Sequence, residues 1–202
     1  MTKTFLPFLE NHERLMENRI KKKGLTITIS GLSGIGKSTV AEAVAKDLGL
    51  EKIIMGEIFR NVAKERGMVL EKFSATREDD IDYQIEKKSL ELSMRGGVVI
   101  DARMSGMVAG DNADCRIMLD CHMGTKSERV AKREKVNVDE ARQKLAARDT
   151  SDSAKYMKLY GTDGSDPSFY DAIIDTTNMD IETSKKETVK IVRQVLKDKR
   201  LI

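Results

Sequence analysis

Gly31-Leu32-Ser33-Gly34-Ile35-Gly36-Lys37-Ser38 fits G-x-x-x-x-G-K-[ST] at every fixed position, and Thr39 follows it. No other stretch constrains the chain as strongly, because the match comes with its required flanks. Leu25 to Ser30 is a short β-branched run that predicts a strand. Thr39 to Leu48 then places Val40, Val44 and Leu48 at helical spacing, with Gly49 to stop the turn. A strand, a glycine-rich turn and a helix in that order make a phosphate cradle. The glycines let backbone N–H groups curl around an anion, and the helix N-terminus adds positive potential. Gly31, Leu32, Ser33, Gly34, Ile35, Gly36, Lys37, Ser38 and Thr39 are therefore the expected binding loop for a nucleoside triphosphate. Lys37 is placed to reach the β- and γ-phosphates, and Ser38 to offer its hydroxyl to Mg²⁺. The loop leaves open what receives the phosphate.

Length and composition narrow the rest. A chain of 202 residues suits one domain with a real core. Aromatics are only 4%, so aliphatic side chains and Met must fill that core. No apolar run approaches the roughly 20 residues of a membrane span, and no signal-peptide pattern opens the chain. Cys115 and Cys121 bracket an expected strand and read as buried thiols, while His12 and His122 are too far apart to suggest a metal site. The expected setting is a reduced cytoplasm. Net charge is +3, and residues 1–24 carry all of it, with six basic against three acidic side chains. This basic extension is expected to be helical after Pro7. Composition favours packing on its own domain over a docking or dimer contact, and the chain reads as a monomer. A role in nucleic-acid binding has only that mild charge in its favour, with no aromatic interleaving.

Further along, strands and helices alternate, which predicts an α/β fold. Glu51 to Ile54 reads as a second strand, with Gly56 as the turn into a helix that closes at Gly67. Arg60 on that helix lies on the side where parallel sheets bind ligands and suits a phosphate. Helices are expected over Leu70–Ser74 and Asp80–Met94, the second turning Ile81 and Ile85 inward. Val98-Val99-Ile100 reads as a buried parallel strand, and Asp101 and Arg103 sit at its C-terminal edge. After a strand over Arg116–Cys121, Thr125-Lys126-Ser127-Glu128 matches a capping box, and Asn137-Val138-Asp139-Glu140 starts a second helix. The two make a short projecting hairpin. Its Arg129, Arg133 and Arg148 suit a flap that closes positive charge over a transferring phosphoryl group, whereas Arg142 reads as solvated. Ala172 to Asp175 and Glu182 to Lys197 supply the last strand and helix.

Together these pieces resemble the archaeal-type cytidylate kinases of the nucleoside monophosphate kinase group. The resemblance spans about residues 25–198. It rests on the loop and on Gly56-Glu57-Ile58-Phe59-Arg60, Ala63 to Met68, and Ile100-Asp101-Ala102-Arg103. Arg148-Asp149 with Asp152, Lys158 to Gly161, Tyr170-Asp171 and Ile174-Asp175-Thr176 complete it. It implies a nucleoside monophosphate kinase fold, a central parallel β-sheet flanked by helices with a short helical lid. The kinase domain would be 25–202, with the acceptor region at about 56–95 and the lid at about 125–155. It implies transfer of phosphate from ATP to CMP or dCMP with Mg²⁺. Lys37, Arg129, Arg133 and Arg148 would act on the transferring group, and Arg60, Asp101, Arg103, Asp152 and Lys155 on the acceptor. Ala102 stands where a glycine is usual, and Lys155 where bacterial relatives have an arginine, keeping charge but losing the fork. Another small P-loop kinase, for adenylate or a small metabolite, and a non-enzymatic nucleotide-binding module remain alternatives. The absence of Asn-Lys-x-Asp argues against a GTPase.

Overall fold

The computed structural model describes residues 22–202. The expected helix after Pro7, and any contact it makes, lie outside the described residues. Five strands are present among the described residues: β1 (Thr26–Ser30), β2 (Glu51–Ile54), β3 (Val98–Asp101), β4 (Cys115–Asp120) and β5 (Ala172–Asp175). All pair in parallel in the order β2-β3-β1-β4-β5. Helix α1 (Lys37–Leu48) follows β1, and α2 (Met55–Glu65), α3 (Leu70–Thr76) and α4 (Asp79–Arg95) lie between β2 and β3. Helix α5 (Ser105–Ala109) links β3 to β4. Helices α6 (Met123–Glu134) and α7 (Val138–Tyr160) form the hairpin after β4, and α8 (Ile181–Asp198) closes the chain.

The order places the site. The chain from β1 returns through β3 on one side and β4 on the other, so a crevice opens at the C-terminal ends of β1 and β3. Ile29 is in register with Asp101, which sets the glycine-rich loop beside the end of β3. Strand β1 is buried along its whole length, as expected of a central strand covered on both faces. Ile27, Ile29, Val44, Ile117, Val192 and Leu196 join α1 and α8 to one face of the sheet. Met55, Leu92, Val98 and Ile100 form the core under α2 and α4.

Gly31 shows why the loop needs glycine. Its φ is 138°, and a Cβ there would stand 2.7 Å from the Leu119 carbonyl oxygen. Both cysteines are buried and free, and burial pushes the Cys115 thiol up to about 12.

Four local expectations change. Gly56 lies inside α2, which begins at Met55 directly after β2, so it is no turn. Thr125 does not cap α6. That helix starts earlier, where the His122 ring accepts a hydrogen bond from the Gly124 N–H and takes the capping role. Asn137 does cap α7 as read, accepting from Glu140 N–H. Helix α7 then runs unbroken to Tyr160, so Arg148 to Asp152 lie in mid-helix and the hairpin is anchored rather than short and projecting. The five-residue α5 was not anticipated. The end of the basic extension packs on the domain, with Lys22 Nζ 2.5 Å from Asp114 and the Lys23 N–H donating to the Arg95 carbonyl.

Candidate active site

The loop between β1 and α1 ends at Gly36, φ 101°, and no side chain caps the first turn of α1. A helix start left uncapped at a glycine turn is suited to an anion. Lys37 Nζ donates to the Leu32 carbonyl at 2.7 Å, folding the ammonium over the loop. Burial lowers its pKa to about 8, with Arg103 and Arg148 adding to the effect and Asp101 opposing it. A nearby anion would offset the cost that this environment places on the ammonium. Ser38 Oγ donates to Asp101 Oδ2 at 2.6 Å. Asp101 is thus held against the phosphate loop.

Arg103 is fixed by carboxylates from α7. Its Nη1 lies 3.0 Å from Asp149 and its Nη2 2.7 Å from Asp152, and Nη2 also donates to Ser33 Oγ at 2.9 Å. From there a line of alternating charges runs both ways. Asp149 meets Lys126 of α6 at 2.5 Å. Asp152 meets Arg77 at 3.1 Å, and Arg77 meets Asp82 at 2.8 Å. Arg77 also stacks over Phe59, 5.0 Å from the ring centroid. One ionic chain therefore joins the hairpin, the end of β3 and the α3–α4 region.

A cavity of about 250 Å³ opens along this chain, with the loop residues Ser33–Thr39 in its wall. Arg60, Asp101, Arg103, Arg133, Arg148 and Asp152 line it too, so six sequence-predicted residues meet the loop in one space. Arg148 is 3.7 Å from Asp152, and its Nε has no hydrogen-bond partner among the described residues. Burial first, then Arg103, lowers its pKa, as expected of cations gathered where negative charge is to be received. Val130 and Leu145 of the hairpin sit against Gly34, where an added Cβ would come within 2.7 Å of Val130 and 3.2 Å of Leu145.

Gly31 and Leu32 at the start of the loop lie outside the cavity's lining, and so do two expected cationic residues. Arg129 turns its guanidinium to the carbonyls of Thr176 and Met179, at 2.6 and 2.8 Å, and ties the hairpin to the segment after β5. Lys155 bonds the Arg77 carbonyl at 2.8 Å and Asp79 at 2.5 Å, which consumes its charge in joining α7 to α4. The wall also holds Phe59, Asp82, Ile85, Glu86 and Tyr156, which were not picked out as site residues. The available signal was spacing: Asp82 and Glu86 each follow an inward-facing isoleucine, Ile81 or Ile85, by one residue.

With this geometry in hand, relatives can be compared. Residues 26–178 match the cytidylate kinase-like family. The chain belongs to that family. Cytidylate kinase from Pyrococcus horikoshii is 42% identical over 158 residues, covering 77% of this chain and 82% of that one. Cytidylate kinase from Methanopyrus kandleri is 37% identical, covering 85% and 93%. In fold the chain is similar to a gluconokinase from Sinorhizobium meliloti 1021, with TM-score 0.59 and 15% identity over 89% of this chain and 98% of that one. It is similar also to shikimate kinase from Acinetobacter baumannii, with TM-score 0.57 and 17% identity over 88% and 96%. At such identities the last two bear on the fold alone. The family match agrees with the family that the loop, Arg60, Asp101–Arg103 and Arg148 suggested.

Proposed function

We propose that this chain transfers the γ-phosphoryl group of ATP to CMP or dCMP, giving ADP and CDP or dCDP. One observation carries the reading: a single cavity joins the Ser33–Thr39 loop to Arg60 and to the wall built by α4. Donor and acceptor can therefore meet without crossing solvent. The cytidylate kinases among its relatives support the pyrimidine acceptor.

The loop amides and Lys37 hold the donor's β- and γ-phosphates. Arg60 and Arg148 receive the acceptor phosphate, and Arg133 at the rim adds charge as the hairpin closes. An oxygen of the acceptor phosphate then attacks the γ-phosphorus in line, and ADP leaves. That phosphate is already largely ionised at neutral pH, so no strong general base is needed. Positioning and positive charge do the catalysis, and the α6–α7 hairpin over Gly34 excludes water. Asp149 and Asp152 act at one remove, holding Arg103 beside Ser33.

The donor set fits Mg²⁺. Ser38 and Asp101 offer hard oxygens beside the loop, and no cluster of three or more His, Cys, Asp or Glu forms a cage among the described residues. That pattern suits an ion held mostly by phosphates and water. Ser38 would hold it, with Asp101 orienting the hydroxyl, and the ion would neutralise charge between the β- and γ-phosphates. No helix among the described residues is long and apolar enough to cross a membrane.

The test is an acceptor panel with ATP and Mg²⁺, following ADP release. CMP and dCMP are expected to give the highest kcat/KM, above UMP, AMP and GMP. A clear preference for AMP contradicts the reading.

A further inference from the structure

Helix α4 turns two carboxyls, Asp82 and Glu86, into the cavity wall one helical turn apart. Their surroundings differ. Both oxygens of Asp82 accept from Arg77, at 2.8 and 2.9 Å. Glu86 is 4% exposed, and its Oε2 has no hydrogen-bond partner among the described residues. A buried carboxyl oxygen left unpaired by protein groups is rare in folded proteins and needs water or a ligand to complete its bonding. The same wall carries Phe59, Ile85 and Tyr156, flat or apolar surfaces suited to a heteroaromatic ring. Arg60 and Arg148 in the cavity supply the cations that a 5′-phosphate needs. A nucleoside monophosphate held by its phosphate at those arginines has its base left to meet α4.

We propose that Glu86 reads the base of the acceptor, its carboxyl accepting a hydrogen bond from the exocyclic amino group of cytosine. This makes Glu86 a specificity-determining residue, and it rests on the acceptor being a cytidine nucleotide as argued above. Cytosine presents an N4 amino donor where uracil presents the O4 acceptor. A wall with carboxyl oxygens and no amide donor favours the first. A site built to bond an exocyclic group also discriminates more strongly than one that merely fits a shape.

The groups facing Glu86 give the pairing a pH signature. They are Asp82 on its own helix, Arg77 from the α3–α4 link, and Tyr156 and Tyr160 from α7. Burial, then repulsion from Asp82, pushes Glu86 up to about 8, with Arg77 opposing. As a neutral acid it can turn either its carbonyl oxygen to N4–H of cytosine or its O–H to O4 of uracil. Once ionised it has nothing to donate to O4. Selectivity for CMP over UMP therefore rises as pH goes from 6.5 to 8.5.

The experiment compares the full chain with E86Q and E86A, using CMP, UMP and the base-free probe ribose 5-phosphate as an inhibitor. E86Q keeps a neutral donor–acceptor pair at every pH and is expected to narrow the CMP-to-UMP ratio of kcat/KM about tenfold at pH 8.5 and to abolish its pH dependence. E86A is expected to raise the KM for CMP about tenfold while the KM for ATP and the inhibition by ribose 5-phosphate stay unchanged. If E86A does not fold, E86Q carries the test alone. A CMP-to-UMP ratio at pH 8.5 within twofold of wild type in E86Q, where wild type prefers CMP, overturns the assignment of Glu86 only. A wild-type preference for AMP overturns the acceptor reading and this proposal with it.

Discussion

Replacing Arg77 by methionine removes the one guanidinium that holds Asp82 and also meets Asp152. The Arg77, Asp82 and Asp152 side chains are 1%, 4% and 4% exposed, so water cannot take over the lost bonds. Methionine keeps apolar contact with Phe59, and the change is therefore mainly electrostatic. Breaking a buried pair by removing one partner costs about 3–5 kcal/mol. The lower end applies here, because Asp152 keeps Arg103 at 2.7 Å and Asp82 can take up a proton. At roughly 2–4 °C per kcal/mol for a domain of this size, a loss of about 3 kcal/mol lowers Tm by about 6–12 °C. The loss also depends on pH. Asp82 already sits above the usual carboxylate range because burial outweighs its pairing with Arg77, and R77M raises it further. A carboxyl whose folded pKa exceeds its unfolded value stabilises most below the unfolded pKa and loses that stability as pH climbs through the folded one. R77M is therefore expected to be closer to wild type at pH 5 than at pH 8. Urea unfolding at both pH values measures this. A loss below about 1 kcal/mol, or a gap that widens as pH falls, would refute the reasoning.

Three further outcomes follow from the site. K37A should lose activity by roughly 10²–10³-fold in kcat with unchanged circular dichroism, since among the described residues the ammonium bonds only the Leu32 carbonyl and contributes little to the fold. Wild-type kcat/KM for ATP should fall above about pH 8 as free-enzyme Lys37 loses its proton, and K37R should hold its profile flat; initial rates across pH 6.5–9 check both. R60A should raise the KM for CMP at least tenfold and leave the KM for ATP within twofold, read from two-substrate kinetics.

The elements with local chemistry were legible in the sequence. Strands β1 and β3 are runs of β-branched or apolar residues, the loop has its glycines, and Asn137 is a cap with a side chain of the right length. The family was legible because short motifs spread across the chain jointly specify it. What escaped notice depends on tertiary packing. Arg77, Asp82 and Glu86 look like solvated residues on a polar stretch, yet all three are buried once the helices pack, Arg77 between Phe59 of α2 and Asp152 of α7. Lys155 and Arg129 read as phosphate ligands by charge and position. The structure gives their donors to Asp79, to the Arg77 carbonyl and to the segment after β5, partners that no local spacing reveals. The Thr125–Glu128 pattern failed for a similar reason. The chain entering from β4 sets the start of α6 at His122, one turn before the string that resembled a cap.

The central claim is that the loop and the Arg60–α4 wall form one site holding both nucleotides in line. A bisubstrate analogue, cytidine joined to adenosine through a chain of five phosphates, tests it most directly by steady-state inhibition and by calorimetry. One molecule should bind per chain, compete with both ATP and CMP, and bind more tightly than either alone. Competition with ATP but not with CMP would contradict the claim.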